Sequence, residues 1–314
     1  MTRYRFVLLR PLQLIPVLIG ISLVSFILIH SLPGDPVRTL VAMRAPPDVV
    51  ERIRAYCGLD QPIFIQYIYF LRSLAEGELG RYVVYRMPVS ELLASRAGPT
   101  VFLLAYAAIL GILLTLVLSV TAARNRGRWP DQVIRAFSTV GLGFPSFWIG
   151  LMLILIFSVK LGLFPFSGAG DGFIGRLHHL FLPAFTIALA LSAVPTRTLR
   201  ASLIDQMDAD FATSVRSRGA SDATVFRRHV FPNSLIPTVN LLGVNLGWLI
   251  SGTVVVVIET VFSVPGLGFL MTSSIFARDY MTVEAITIVF ALATVLITFA
   301  VDVLKVSFGS RAMR

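Results

Sequence analysis

Few side chains in this sequence have the type and spacing that catalysis or metal binding requires. The only two lysines, Lys160 and Lys305, do not follow glycine in the Gly-x-x-x-x-Gly-Lys-Ser/Thr pattern of a phosphate-binding loop. The adjacent histidines His178 and His179 lack the spacing that puts two zinc ligands on one helical face. The single cysteine, Cys57, cannot form an intrachain disulfide. We therefore predict that the chain is not an enzyme and binds no metal or cofactor of its own.

Long apolar segments dominate the rest of the sequence. Of its 314 residues 56% are hydrophobic and 14% are charged, which is typical of a membrane protein with several spans. Six segments approach or exceed the length that a helix needs to cross a bilayer. They are residues 9–32, 99–123, 133–161, 180–199, 238–262 and 283–304. The sequence thus predicts an all-α polytopic membrane protein with six transmembrane helices.

The distribution of basic residues predicts the orientation of these helices. The first apolar segment is too long for a cleaved signal peptide, and residues 32–36 offer no small-residue cleavage pattern. With both termini in the cytoplasm, the cytoplasmic segments carry 15 basic residues and the short outer loops carry three. This excess accounts for the net charge of +10, so we predict no nucleic-acid partner.

The composition divides the chain into three parts. Residues 1–32 are the cytoplasmic amino terminus and the first span, residues 33–98 form an insert, and residues 99–314 hold spans two to six. The insert has eight arginines and seven acidic residues, which favours a folded soluble segment on the outer side. We expect one short helix to start near Asp48 and a second to run over residues 66–74 and end at Gly77.

A polar cytoplasmic loop at residues 200–237 predicts a helical hairpin. The pattern favours a helix over residues 201–218, an interruption at Gly219, and a short helix that Ser221 caps and Pro232 ends after His229. We expect Gly219 to adopt a left-handed backbone conformation, which glycine tolerates best.

The second helix of the hairpin has an apolar face. Val225, Phe226, His229 and Val230 follow an i, i+1, i+4, i+5 spacing, and two arginines at 227 and 228 lie beside that face. Either a partner protein or the membrane surface would have to bury it, the latter making this an interfacial helix.

The hairpin sequence at residues 210–220 and 228–237 resembles the cytoplasmic coupling loop of ATP-binding-cassette importer permeases, most closely those of the dipeptide, oligopeptide and nickel transport family. Further similarity lies in Leu-Pro-Gly-Asp-Pro at 32–36, Phe-Pro-Ser-Phe-Trp at 144–148 and Glu-Thr-Val-Phe-Ser-Val-Pro-Gly-Leu-Gly at 259–268. The chain departs from the family pattern at Phe211, Val215 and Ser217, and again in its carboxyl-terminal tail at Thr298 and Asp302.

This resemblance implies a permease subunit in the cytoplasmic (inner) membrane of a bacterium. It would pair with a second homologous permease as a heterodimer, and work with two ATPase subunits that bind ATP and Mg and with an extracytoplasmic solute-binding protein. The solute would be a short peptide or peptide-like compound. In the family the hairpin docks into a groove on the ATPase. Ten residues are assigned to that contact: Asp210, Phe211, Arg216, Arg218, Gly219, Ser221, Val225, Phe226, His229 and Pro232.

An ion-coupled secondary transporter or a channel is the alternative function. Such proteins place costly ionisable groups near the middle of the membrane, and none of the six apolar segments has one near its centre. The sequence also shows no obvious inverted repeat.

Two further sets of residues are candidates for the transport path. In the family, the end of the fifth span lies near the outer mouth of the transport path, so the resemblance implies a gate there. The same pattern also fits a plain loop that ends a helix. The gate set is Glu259, Phe262, Pro265, Gly266 and Gly268.

The fifth span also carries small and polar residues. Gly243, Gly247 and Ser251 repeat every four residues, and this stripe fits either packing inside the chain or the seam with the second permease. Asn240, Asn245 and Thr253 are candidates to face a water-filled path. In the third span, we expect Pro145 to kink the helix.

Overall fold

A computed structural model describes residues 16–27, 46, 51, 60–76, 88–140, 143–250, 252–277 and 279–309. The regular elements in these ranges are helices, which confirms the predicted helical class. The chain divides into two compact units, one formed by residues 1–100 with 265–299 and the other by residues 101–264 with 300–314.

In the first unit an aromatic contact joins α1 (Pro16–Ile27) to α2 (Ile63–Glu76). The ring of Phe26 lies 5.3 Å from that of Tyr67 and 5.8 Å from that of Phe70, and the hydroxyl groups of Ser22 and Tyr67 are 2.9 Å apart. The second predicted helix of the insert is therefore present, but it is longer than expected and packs on the first apolar helix. The helix predicted near Asp48 lies outside the described residues.

The same unit contains the start of α3 (Val89–Arg124), α12 (Leu267–Phe276) and most of α13 (Tyr280–Gly309). The backbone N–H of Leu267 donates to the hydroxyl of Thr100 at 2.8 Å, which satisfies a free donor at the start of α12. Asp279 accepts from the backbone N–H of Thr282 at 3.3 Å and from its hydroxyl at 2.7 Å, and so caps α13. The helix α3 starts ten residues before the predicted second span, so the predicted boundary at 98/99 falls inside it.

The second unit is built around the long helix α7 (Phe181–Asp208). Its neighbours are α4 (Trp129–Val140), α5 (Ser146–Leu153) with a π-helical extension at Ile154–Lys160, and α6 (Gly172–His179). Small residues such as Ala184, Ala188 and Ser192 are buried along α7, and they let the neighbouring helices approach closely.

After α7 the chain forms the hairpin and returns. The hairpin comprises α8 (Asp210–Ser217) and α9 (Asp222–Val225), the latter continued by a π-helical segment at Phe226–Val230. It leads into α10 (Phe231–Ile250), and α11 (Thr253–Val261) follows.

Within the described ranges, three helices are long and apolar enough to span a membrane: Val89–Arg124, Phe181–Asp208 and Thr282–Ala300. The predicted third and fifth spans are wrong as continuous helices. The third is divided before Pro145, which has an extended backbone at the start of α5, and the fifth is divided at Gly252, whose φ is +95°. Because these residues take non-helical angles, the chain breaks where we expected at most a kink. The count of six spans stays a prediction.

The predicted limits of the hairpin helices are also wrong. The helix α7 continues to Asp208, and an extended Ala209 (φ −70°, ψ 148°) separates it from α8, so residues 201–218 are not one helix. Pro232 does not end the second helix, since helical structure runs through it into α10. The π-helical segment at Phe226–Val230 ends two residues before Pro232 and widens the preceding turn, where the proline ring and its missing N–H would disturb a regular α-helix.

Candidate functional site

A Schellman turn at Gly219 ends the first helix of the hairpin. The N–H of Ala220 donates to the carbonyl of Val215 at 3.4 Å, and the N–H of Gly219 donates to that of Arg216 at 2.9 Å. Gly219 has φ +89°, which confirms the predicted left-handed conformation. The space around it is open, since an added Cβ would meet no atom within 4 Å. Backbone conformation, not crowding, therefore requires glycine here.

Polar contacts fix the second helix of the hairpin against the first. The side chain of Ser221 accepts from the N–H of Thr224 at 3.4 Å, which confirms Ser221 as the helix cap. Across the turn, the guanidinium of Arg216 lies 3.0 Å from the carboxylate of Asp222 and also donates to the carbonyl of Met207 at 3.4 Å. Arg216 thus connects α7, α8 and α9.

The apolar face of the second helix is buried by the chain itself. Val225 and Val230 are almost completely buried, in a cluster with Leu199, Leu203 and Ala212. Neither a partner nor the membrane is needed to cover these two valines, whereas Phe226 and His229 of the same predicted face are only half-buried. The sequence did not reveal this because the covering residues come from the extended end of α7 and from α8.

The remaining hairpin residues show which side chains are available to a partner. Phe211, Phe226 and His229 are half-buried, and Arg124 stacks over the ring of Phe226 with its guanidinium 4.5 Å from the ring centre. The exposed members of the predicted set are Asp210, Arg216, Arg218, Gly219, Ser221 and Pro232.

Two exposed arginines, Arg227 and Arg228, were not assigned to the predicted contact. Their position beside the apolar face was the signal in the sequence that could have found them.

A buried ion pair joins α7, the helix that leads into the hairpin, to α4. Arg200 of α7 donates two hydrogen bonds to the carboxylate of Asp131 in α4, at 2.5 and 2.7 Å, and the N–H of Gly127 donates a third at 3.0 Å. The Arg200 guanidinium, helped by that N–H, holds the pKa of Asp131 below its usual value against the opposing effect of burial. Nearby, Arg126 and Asp208 form a second, exposed pair at 2.6 Å.

The predicted gate residues lie around the end of α11. Glu259 and Phe262 are fully buried in the second unit, where Phe262 belongs to the main core cluster. The carbonyl of Phe262 accepts from the N–H of Gly168 at 3.3 Å. A Cβ on Gly150 would lie 3.0 Å from the Phe262 ring, so this glycine makes room for it.

A second Schellman turn ends α11, with Ser263 at its left-handed position (φ 47°). The N–H of Val264 donates to the carbonyl of Glu259 at 2.8 Å, and that of Ser263 to the carbonyl of Thr260 at 3.2 Å. Gly266 is extended and uses no glycine-specific conformation. Pro265 is half-buried, and Gly266 and Gly268 are buried in the first unit. The helix-ending turn is present, and a gate stays a prediction.

The predicted pathway residues are only partly described. Gly243 is buried, Gly247 and Asn245 are half-buried, and Thr253 is exposed. Ser251 and the side chain of Asn240 lie outside the described residues.

The histidines of the second unit bind backbone carbonyls. A ring nitrogen of His178 lies 3.0 Å from the carbonyl of Leu163, and one of His179 lies 3.0 Å from that of Gly175. In the part of the chain that the structure describes, no three His, Cys, Asp or Glu side chains are grouped to hold a metal ion.

Comparison with known proteins identifies the family. Residues 111–314 match the family described as binding-protein-dependent transport system inner membrane component, and residues 3–85 match the amino-terminal domain of such components. The glutathione transport system permease protein GsiC of Escherichia coli O6:H1 is 37% identical over 95% of both chains, and that of Escherichia coli K12 is 36% identical over the same share.

Two solved structures have a fold similar to that of this chain. An amino acid ABC transporter chain has a TM-score of 0.54 at 17% identity, and an inward-facing MetNI methionine ABC transporter chain has 0.51 at 16%. They cover 69% and 68% of this chain and 94% of their own. The chain therefore belongs to the inner membrane components of binding-protein-dependent transport systems and is the permease subunit of an ATP-binding-cassette importer.

Proposed function

We propose that the hairpin of α8 and α9 is the surface through which this permease receives work from an ATPase subunit. The observation that carries this proposal is the way the hairpin is held. Its turn has a fixed backbone conformation at Gly219, its helices are joined by Arg216 and Asp222, and its inner face belongs to a buried cluster with α7.

A displacement of such a hairpin would pass directly into α7. This helix has 28 residues, so its length is about 42 Å at 1.5 Å per residue, comparable to a bilayer. Because the buried cluster leaves little room for independent movement, the hairpin and the end of α7 would move together. Exposed Arg227 and Arg228 would contact the ATPase.

The assembly we propose contains this chain, a second homologous permease, two ATPase subunits that hydrolyse ATP with Mg, and an extracytoplasmic solute-binding protein. Both termini and the hairpin would face the cytoplasm of a bacterium, in agreement with the charge distribution. The solute would be a short peptide or peptide-like compound. Glutathione is the first candidate, because it appears in the names of relatives that match 95% of the chain.

The test uses the complete transporter, purified through a tag on this chain and reconstituted with its binding protein. The double variant Arg227→Glu/Arg228→Glu should lose most of the co-purifying ATPase and the ATP-driven glutathione uptake. Arg128→Glu is the matched control, since Arg128 is also exposed but lies in the turn between α3 and α4. It should behave like the wild type.

Two results would contradict parts of the proposal separately. Full ATPase retention and uptake in the double variant would remove the hairpin as the docking surface. If wild-type ATPase activity responds to the binding protein but glutathione is not transported, the docking stands and the solute is wrong.

A further inference from the structure

A cavity of about 1130 Å³ with both polar and apolar lining residues lies in the second unit, between α4, α7 and α10. It is at the end of α7 that carries the hairpin, and Pro237 of α10 contributes to its wall. The sites that hold drug-sized ligands usually have about 300–1,000 Å³. This cavity therefore has room for a peptide of a few residues without enclosing it tightly.

One face of α4 lines the cavity. Gln132, Arg135 and Thr139 recur at i, i+3 and i+7 and so share a face, while the neighbouring Asp131 and Ser138 are buried. A polar face on a segment that continues into an apolar span is costly against lipid. Its orientation toward a cavity gives these side chains a polar environment.

The side of α7 that lines the cavity also carries polar side chains. Arg197 and Asp205 lie two turns apart on one row, and Thr198, Ser202 and Gln206 form the adjacent row at intervals of four residues. The amides of Gln132 and Gln206, one from each helix, offer both donors and acceptors of the kind that peptide groups require.

The charges in the cavity favour an anion. Three arginines, Arg135, Arg197 and Arg200, line it, and Asp205 is the acidic residue among its lining side chains. Arg200 forms an ion pair with Asp131, whose carboxylate also lies 3.7 Å from the guanidinium of Arg135. Counting both carboxylates, one positive charge is in excess.

Two of these guanidinium groups are available to a ligand. Arg135 is 53% exposed, and Arg197 is exposed and makes no ion pair within the described ranges. The planar fork of donors on each guanidinium matches the two oxygens of a carboxylate.

We propose that this arginine cavity binds the carboxylate groups of the transported solute on the hairpin side of the membrane, with Arg135 and Arg197 as its ligands. The solute class would then be anionic peptides and peptide-like compounds. This inference rests on the proposed function for its direction of transport. The surplus positive charge would attract the solute, and the large volume of the cavity, which does not enclose it tightly, would allow its release.

The first test measures the potential inside the cavity. Ala136, an exposed cavity residue, is changed to cysteine in a Cys57→Ser background, and the complete transporter is placed in nanodiscs. Anionic 2-sulfonatoethyl and cationic 2-trimethylammonioethyl methanethiosulfonate are compared as modifying reagents. Thr121→Cys, at an exposed site outside the cavity, is the control.

Relative to the control, we expect the ratio of anionic to cationic modification rates at position 136 to be about fivefold to tenfold higher, because surface potentials in clefts reach a few kT. Arg135→Gln/Arg197→Gln should remove this preference, and Arg135→Lys/Arg197→Lys should retain it, which controls for misfolding. S-methylglutathione, which has carboxylates and no free thiol, should slow modification, whereas Gly-Gly-Gly amide should not.

The outcomes separate this inference from the proposed function. Equal ratios at positions 136 and 121, or protection by phosphatidylglycerol in place of S-methylglutathione, would overturn the arginine cavity as a solute site. Glutathione uptake by the wild type tests the proposed function independently. If uptake is present, the Gln pair should lower the transport rate at saturating solute, and an unchanged rate would count against the cavity.

Discussion

Arg200 and Asp131 form a two-point ion pair that joins α7 to α4, with hydrogen bonds of 2.5 and 2.7 Å. The Asp131 side chain is only 1% exposed, whereas that of Arg200 is 19% exposed. A buried pair of this kind adds little net stability, but it fixes the relative position of two helices and is costly to break on one side. Arg200 also lines the arginine cavity, so the pair fixes the relative position of two helices that form its walls.

Removal of the Arg200 side chain alone should lower the stability of the protein strongly. Arg200→Ala leaves a buried carboxylate without its main partner, and we expect a loss of about 3–5 kcal/mol in unfolding free energy. Thermal unfolding in detergent, together with membrane abundance, measures this effect. The exposed control Arg128→Ala should change stability little, and an equally small effect for Arg200→Ala would show that the pair is not structurally important.

The pH dependence of this pair follows from the lowered pKa of Asp131, which the Arg200 guanidinium causes first and the Gly127 N–H second. Because the folded pKa lies below the ordinary value of 3.8, the stabilisation is complete above that value and is lost as the pH falls through the folded pKa. The difference in unfolding temperature between the wild type and Asp131→Asn should be constant from pH 8 to pH 5, and should shrink below about pH 4. A difference that changes between pH 8 and pH 5 would contradict this assignment.

Gly219→Val should separate transport from folding. Valine at φ +89° is strained although the space is open, so we expect the turn to change shape and misplace α9. Membrane abundance should persist while ATPase co-purification and uptake are lost. Gly219→Asn is the milder control, because asparagine tolerates left-handed angles better.

The same samples also test the competing interpretation of Gly219. If the glycine only ended a helix, abundance and uptake would fall together. Normal abundance with normal uptake would refute the coupling role. Arg216→Ala should act in the same direction more weakly, since it removes the contact to Asp222 without straining the backbone.

Ser263 and Gly219 occupy the same position in two Schellman turns, which permits a reciprocal test. Ser263→Gly should raise the unfolding free energy by up to about 1 kcal/mol, since it relieves a left-handed serine at some cost in chain entropy. Gly219→Ser should lower it by a similar amount. A lower unfolding temperature for Ser263→Gly would indicate that the serine side chain stabilises the turn.

The addition of a single methyl group at Gly150 should lower the stability of the protein. A Cβ there would approach the Phe262 ring to 3.0 Å, so Gly150→Ala should cost about 1–3 kcal/mol by overpacking. A second change, Phe262→Leu, should recover part of the loss by making space. Unfolding temperatures of both single variants and the double variant give the coupling, and simple additivity would contradict the contact.

The gate hypothesis is tested by the basal ATPase rate of the Phe262→Leu transporter. If Phe262 helps to close the outer mouth, the rate without binding protein should rise. Unchanged basal and stimulated rates, with normal stability, would favour a plain helix-ending turn.

Local features of the chain were predictable from the sequence for a physical reason. Hydropathy, the cap at Ser221 and the left-handed turn at Gly219 depend on neighbouring residues and on intrinsic backbone preferences. Apolar length predicted the helical membrane class, and the motifs at 210–220 and 259–268 predicted the family. By contrast, the breaks at Ala209 and Gly252 were missed, because each helix boundary depends on its packing environment as well as on its sequence.

Contacts between distant parts of the chain were decided only by the tertiary structure. Val225 suggested a surface for a partner, yet α7 and α8 bury it within the chain. Asp131 and Arg200 are 69 residues apart, and nothing in the local pattern pairs them. Arg135 and Arg197 belong to two different apolar segments, and the packing of α4 against α7 places both on one cavity. Periodicity shows which residues share a face of one helix, whereas the neighbour of that face is set by how all the helices pack together.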